Sequence, residues 1–228
     1  VNMTVTGTPL ASGATALSGN LTISGGTLNL NGQVVTVAGT FATSGTGTLT
    51  MQNPADRLTV SGNVTFNGGN TNTLLTAGVL EVGGDFSQAS CCTSSPHFAA
   101  SGTHRVVLNS PGAPQTVNFQ DPGSTTSDSH FQDLEIANTG GGVTFATNAF
   151  VNGALSITSA TTASGPGTVI VAGDLTTAAG SAVTVTGLNL AGAMAVSGSL
   201  SPGTTTFTGA GQSIQPGLAY VNVTVTGT

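Results

Sequence analysis

One short pattern recurs along the chain and limits what it can fold into. Two apolar residues alternate with other residues, a glycine follows, and another apolar residue comes two positions later, as in VTVAGTF, LTVSGNV and VIVAGDL. The glycines recur about every 22 residues, with a gap of about three such steps in the middle, at Gly19, Gly39, Gly62, Gly84, Gly153, Gly173 and Gly198. Because a unit this short cannot bury its apolar face alone, the period predicts stacked repeats with these glycines at sharp corners.

The alternation of apolar and polar residues predicts the secondary structure. Runs such as RLTVSG at 57–62 and VNVTVTG at 221–227 alternate strictly, and Gly, Asn or Ser-Gly interrupts them. This is typical of short β-strands, and no run keeps a helical period. We therefore predict an all-β fold, a β-solenoid in the form of a right-handed parallel β-helix of about ten coils. The alternative is a β-sandwich, which does not require a glycine corner at a constant period.

A longer repeat is superimposed on the short one. Residues 19–43 align without gaps with residues 153–177, and FQDLEI at 131–136 resembles both VNMTV at the start of the chain and YVNVTV near its end. The predicted organisation is one elongated solenoid over 1–228, with internal units at 1–130 and 131–219, the start of a further copy at 220–228, and protruding loops at 87–101 and 120–130. We interpret the chain as a mature or excised segment of a longer protein. Since open strand edges invite pairing, we expect its partners to be further copies or flanking repeats, joined end to end.

The charge of the chain argues against several classes of partner. Charged residues make up 4% of it, Arg57 and Arg105 are the only Lys or Arg residues, and the formal net charge is −6. Binding to nucleic acid needs clustered Lys and Arg, and so does binding to an anionic membrane surface. We therefore expect neither of these partners. No stretch approaches the ~20 apolar residues of a membrane span, so we expect no membrane insertion.

The stretch from 91 to 130 departs from the coil pattern. It holds the adjacent Cys91 and Cys92 and all three histidines, His97, His104 and His130. The cysteines are candidates for a local disulfide that stiffens a loop, with two free thiols as the alternative. A thiolate and imidazole metal site is a third option, but the spacing matches no C-x₂-C or H-x₃₋₅-H pair. We predict neither a metal nor a cofactor.

Two groups of carboxylates are candidate site residues. Asp133 and Glu135 alternate with apolar residues, so both should face outward from one strand, where a pair of carboxylates could cleave a glycan. Asp85 and Asp174 follow corner glycines, a position where Asp, Asn, Ser and Thr commonly bond their own backbone at a turn. Both groups have a structural interpretation as well, as solvated charges and as turn residues.

The segments GTHRVVLNSPGAPQTVNF, FQDLEIANTGGGVTF and VNGALSIT resemble repeats of very large bacterial surface and secreted proteins, and the resemblance extends over nearly the whole chain. These proteins are called adhesin-like or autotransporter-passenger-like. The resemblance implies an extracellular β-helix that serves as a stalk, an adhesive fibre or an envelope component, and it carries over no catalytic residues.

The predicted function is therefore a non-catalytic, structural or adhesive rod segment of a long extracellular repeat protein or filament, with surface glycans as further partners. A carbohydrate-binding or carbohydrate-cleaving β-helix is the alternative, although Tyr220 is the only Tyr and the chain has no Trp to stack on sugars. A third hypothesis is an ice-binding face, since T-x-T arrays on a flat solenoid face can order water.

Overall fold

The computed structural model describes residues 1–89 and 96–227, and this part of the chain is all β, without a helix. Its strands, in chain order, are β1 (Met3–Val5), β2 (Thr15–Leu17), β3 (Leu21–Ile23), β4 (Thr27–Asn29), β5 (Val34–Val37), β6 (Phe41–Ser44), β7 (Thr48–Thr50), β8 (Arg57–Val60), β9 (Val64–Asn67), β10 (Val79–Val82), β11 (Phe86–Gln88), β12 (Arg105–Leu108), β13 (Gln115–Phe119), β14 (Asp133–Ile136), β15 (Val143–Phe145), β16 (Ala149–Val151), β17 (Leu155–Ile157), β18 (Thr162–Val171), β19 (Leu175–Thr177), β20 (Ala182–Leu190), β21 (Met194–Val196), β22 (Ser199–Leu200), β23 (Thr204–Phe207) and β24 (Val223–Val225).

All strand pairs among these residues are parallel. The chain winds into a β-solenoid of about 11 turns, which confirms the predicted right-handed parallel β-helix. A β-sandwich is built from antiparallel sheets, so that alternative is wrong.

Each turn of the solenoid passes over three faces, which we call A, B and C in the order that the chain visits them. Face C is the nine-stranded sheet β2-β5-β8-β10-β12-β14-β17-β19-β21. Face A contains β1, β3, β6, β9, β11, β13, β15, the first halves of β18 and β20, and β22. Face B contains β4, β7, β16, the second halves of β18 and β20, β23 and β24, with isolated bridges at residues 51, 75, 99–100 and 130–131 joining β7 to β16.

The two long strands show where face A becomes face B. In β18, Ala163 pairs with β15, whereas residues 169–171 pair with β16. The register shifts between Gly165 and Thr168, and Gly165 has a φ of 122°, a conformation that favours glycine. Faces A and B are therefore distinct, although β18 and β20 join them into one hydrogen-bonded sheet.

The core is a continuous apolar column inside the three faces. Along most strands, side chains alternate between the column and the outer surface, as in β14, where Leu134 and Ile136 are buried. The middle of the column holds a cluster of phenylalanine rings, with neighbouring centroids 4.7 to 6.1 Å apart, formed by Phe66, Phe86, Phe98, Phe119 and Phe131. Packing of successive coils against one another buries what no single coil could bury alone.

The stretches predicted as protruding loops lie partly in the body of the solenoid. Within 87–101, Gln88, Phe98 and Ala100 are fully buried; within 120–130, Gln120 and residues 124–127 are exposed, and His130 is buried. Both ends of the first stretch and the C-terminal end of the second therefore pack against the core, because they carry inward-facing side chains. Cys91 and Cys92, the predicted disulfide, lie outside the described residues.

The long repeat units start on different faces of the solenoid. The first unit begins with β1 on face A, the second with β14 on face C, and the segment 220–228 places β24 on face B. Each unit therefore spans about two-thirds of a turn more than a whole number of turns. The same sequence motif consequently moves back by one face from each unit to the next.

Candidate functional site

The first four predicted corner glycines form one hydrogen-bonded column between face C and face A. The Gly39 N–H donates to the carbonyl of Gly19 (3.0 Å), the Gly62 N–H to Gly39 (2.9 Å) and the Gly84 N–H to Gly62 (3.0 Å). A Cβ on Gly62 would lie 2.7 Å from the Gly39 carbonyl oxygen. Glycine is required here because the backbones of successive coils touch.

The later glycines occupy a different corner, between face B and face C. The Gly173 N–H donates to Gly153 (2.9 Å), and the next member of this column is Gly192, whose N–H donates to Gly173 (3.1 Å). Gly198 instead lies between β21 and β22, on the corner from face C to face A, where its N–H donates to Thr177 Oγ1. The predicted glycines lie at corners but belong to more than one column, because the second unit is shifted by one face. Gly192 was missed, although LNLAGAM at 188–194 matches the recurring pattern.

The side chains that follow these glycines bind the next coil. Asn20 Oδ1 accepts the Thr40 N–H (2.9 Å), and Asn63 Oδ1 accepts the Asp85 N–H (2.9 Å). Asp174, which was interpreted as a residue that bonds its own turn, accepts the N–H of Ala193 in the following coil with its Oδ1 (2.7 Å). The corner carboxylates and carboxamides thus hydrogen-bond each coil to the next.

Two glutamines close the glycine columns where these stop. Gln115 donates from Nε2 to the carbonyl of Gly84 (2.6 Å), and Gln212 donates from Nε2 to the carbonyl of Gly192 (2.6 Å). Each glutamine oxygen accepts a backbone N–H as well, for example that of Gly209 (2.8 Å). A side-chain amide thus takes the place of the next backbone amide. Both glutamines lie at equivalent points of the long repeat, and sequence reasoning did not single them out.

The paired carboxylates of β14 face outward, as predicted, but both are engaged. Asp133 Oδ1 accepts the Ala154 N–H (2.8 Å), and Glu135 Oε2 lies 3.0 Å from Arg105 Nη1. A shallow depression of about 290 Å³ lies beside them, with Arg105 and Asp133 in its lining. On the same face, Arg57 pairs with Glu81. The two arginines thus pair with glutamates of neighbouring strands, which the local sequence did not reveal, and Asp133 bonds the backbone.

The three histidines do not form a site together. His104 is fully buried near Phe98, with ring centroids 5.8 Å apart, and neither of its ring nitrogens has a hydrogen-bond partner. Burial lowers the pKa of His104 from 6.5 to about 3. Burial also lowers the pKa of His130, against the opposing effects of backbone hydrogen bonds at Ala100 and Gly123 and of the Asp128 carboxylate. Within the described ranges, no three or more His, Cys, Asp or Glu residues are grouped so that they could hold a metal ion.

The hydroxyl rows on the outer surface are irregular. On face A, Ala42 lies between Thr22 and Thr65 in the row of paired residues. Several hydroxyls also bond to each other across coils, as in the contact of Thr65 Oγ1 with Ser87 Oγ (3.0 Å). An evenly spaced T-x-T array is therefore not formed on this face.

Exposed large apolar side chains concentrate at the two ends of the solenoid. Of the seven that the described residues expose, only Val34 lies outside the end coils; the others are Val1, Leu10, Ile214, Val221, Val223 and Val225. A cavity of about 170 Å³ opens beside β1, lined mainly by apolar side chains that include Met3, Leu10 and Leu17. The ends are therefore the candidate interaction surfaces, since the sides are closed by paired strands and bonded polar groups.

Comparisons with protein-family models, with curated proteins and with solved structures found no match to this chain. The resemblance to bacterial surface proteins is supported only as far as the β-helical repeat architecture. In the described part of the chain there is no helix that could cross a membrane.

Proposed function

We propose that this chain is a rigid structural or adhesive rod segment of a long extracellular repeat protein or filament, and that it is not an enzyme. The observation that carries the proposal is the parallel pairing of each coil with the next on three faces, from β1 to β24. Such a stack resists bending and extension because its hydrogen bonds and core contacts act together.

The polar side chains support the same conclusion. Corner residues such as Asn20 and Asp174 bond to neighbouring coils, and the outward carboxylates Asp133 and Glu135 are engaged in hydrogen bonds or an ion pair. These groups stabilise the rod. Carbohydrate binding or cleavage and ice binding stay predictions.

The location and the adhesive role belong to the proposal as well. The resemblance to repeats of bacterial surface proteins favours an extracellular location, and a surface of hydroxyl and amide groups suits weak, multivalent contacts with glycans. Antibody labelling of intact source cells tests the location: labelling without permeabilisation is the expected result, and labelling only after permeabilisation would contradict it.

Small-angle scattering and limited proteolysis of the 228-residue chain test the rod. About 11 turns at ~4.8 Å per turn give a length of about 50 Å. We expect a maximum dimension of at least this value, a cross-section that stays constant along the particle, and resistance to proteases over the paired strands. A spherical particle, or cleavage throughout the strands, would refute the rod.

A further inference from the structure

We infer that copies of this chain join head to tail by strand exchange, in which residues 221–227 of one copy take the place of residues 1–7 in the next. The inference rests on the proposed rod function and deepens it, because it names the partner, a second copy, and the contact. The two segments, VNMTVTG and VNVTVTG, differ only in Met3 and Val223.

The hydrogen bonds show that β1 and β24 each have one side occupied, and that these are opposite sides. In β1, the Met3 N–H donates to the Asn20 carbonyl (2.8 Å) and the Val5 carbonyl accepts the Ser24 N–H (2.9 Å), both toward the following coil. Alternate residues of a parallel strand bond to opposite neighbours. Met3 and Val5 therefore serve the side of β1 that faces β3.

In β24, the alternate residues that do not correspond to Met3 and Val5 make the hydrogen bonds to the neighbouring strand. The Asn222 carbonyl accepts the Thr205 N–H (2.8 Å), and the Thr226 N–H donates to the Phe207 carbonyl (2.9 Å), both toward the preceding coil. The backbone groups of Val223 and Val225 therefore point to the open end. These two residues correspond in sequence to Met3 and Val5, so β24 presents to the open end the same donors and acceptors that β1 presents to β3.

Side-chain burial shows what β24 lacks. Val5, which packs against the following coil, is 3% exposed, whereas the corresponding Val225, with no following coil, is 61% exposed. If β24 takes the position of β1 on β3 of a second copy, Val225 gains the surroundings of Val5. The exchange replaces the backbone bonds of β1 with equivalent ones, and it releases Val5 as it buries Val225. The gain that favours assembly is therefore the covering of the remaining apolar surface at the open end of the first copy by the second copy.

The faces determine the geometry of the assembly. Because β1 lies on face A and β24 on face B, face A of each added copy continues face B of the copy before it. Successive copies are therefore rotated by about 120°, one face of three. From β1 to β24 the chain makes ten and one-third turns, which at ~4.8 Å each gives a rise of about 50 Å per copy.

Proline variants of the full 228-residue chain test the exchange, with mass measured by light scattering over a concentration series. Val225→Pro removes an N–H that faces the open end and leaves the bonds of β24 to β23, so we expect it to stay monomeric where the wild type assembles. Met3→Pro removes the bond to Asn20 and weakens the internal competitor, so we expect assembly at a concentration about ten-fold lower. The control Val223→Met makes the two segments identical and should assemble like the wild type. Circular dichroism confirms that each variant is folded.

The two proline variants should change the assembly in opposite directions, and this distinguishes strand exchange from other contacts. Simple stacking of the open edge of β24 on the open edge of β1 would not be promoted by Met3→Pro. A wild-type chain that is monomeric at all concentrations, assembly of Val225→Pro like the wild type, or loss of assembly in Met3→Pro would each overturn the inference. Monomers that scatter as 50 Å rods would leave the proposed function intact, whereas a compact particle would refute that function itself.

Discussion

His104 provides a direct test of the core, because it is a titratable side chain sealed among apolar residues. It is fully buried, both ring nitrogens lack partners, and burial lowers its pKa from 6.5 to about 3. The ring is therefore neutral in the folded protein at neutral pH. We consider the substitution His104→Leu, which has a similar volume and cannot titrate.

The sign of the pH effect follows from the two pKa values of His104. Between pH 6.5 and about pH 3 the unfolded chain binds a proton at this side chain that the folded chain does not bind. The free energy of unfolding is therefore highest above pH 6.5 and falls as the pH is lowered through this window. The loss is about 1.4 kcal/mol per pH unit, and on the order of 5 kcal/mol over the whole window. His130, whose pKa burial also lowers, contributes in the same direction in both proteins.

Denaturant titrations followed by circular dichroism at pH 7 and pH 4.5 measure the effect. At pH 7 we expect His104→Leu to be more stable than the wild type by about 1–3 kcal/mol, because it removes buried unpaired polar atoms. At pH 4.5, two pH units below 6.5, the difference should widen by an amount on the order of 3 kcal/mol. Phe41→Leu is the control, because this buried ring lies in an earlier coil, on β6, and its effect should not depend on pH. An equal difference between His104→Leu and the wild type at both pH values would refute the reasoning.

Three further predictions concern the coil contacts, and denaturant titration measures each of them. Gly173→Ala places a Cβ 2.5 Å from the Gly153 carbonyl oxygen and should cost at least about 2 kcal/mol, whereas Gly13→Ala, with no heavy atom within 4 Å, should change stability by less than about 0.5 kcal/mol. Equal effects of the two would contradict the close approach of the coils. Asp174→Ala loses the acceptor for the Ala193 N–H and should cost about 1–2 kcal/mol; Asp174→Asn keeps an acceptor, and if it lost as much, charge rather than the hydrogen bond would be responsible. Phe86→Ala opens the ring cluster and should cost about 3–5 kcal/mol; a cost below about 1 kcal/mol would show that the cluster is not tightly packed.

Much of the fold could be predicted because its determinants are local. The alternation around Leu58 and Val60 predicts a strand with one buried face, and the glycine at position 62 predicts a corner, from fewer than ten residues of sequence. The candidate ends could also be found, since VNMTVTGT and VNVTVTGT are visible without a structure. These features depend only on neighbours along the chain.

The contacts between coils could not be predicted in the same way. Arg105 and Glu135 lie 30 positions apart and meet because β12 and β14 are adjacent on face C. The role of Gln115 depends on the position of Gly84 in the coil before it. Such pairs follow from the register of the strands, which no local pattern contains.

By itself, the sequence determined that this chain folds into short strands with glycine corners and stacks into a solenoid, because alternation and backbone sterics act over a few residues. Only the tertiary structure decided which face each repeat occupies. The face on which a strand lies depends on the lengths of all the connecting segments before it. Pairing with the preceding coil then selects the register. The one-face shift from unit to unit, and with it the complementary sides of β1 and β24, results from the summed lengths of these segments.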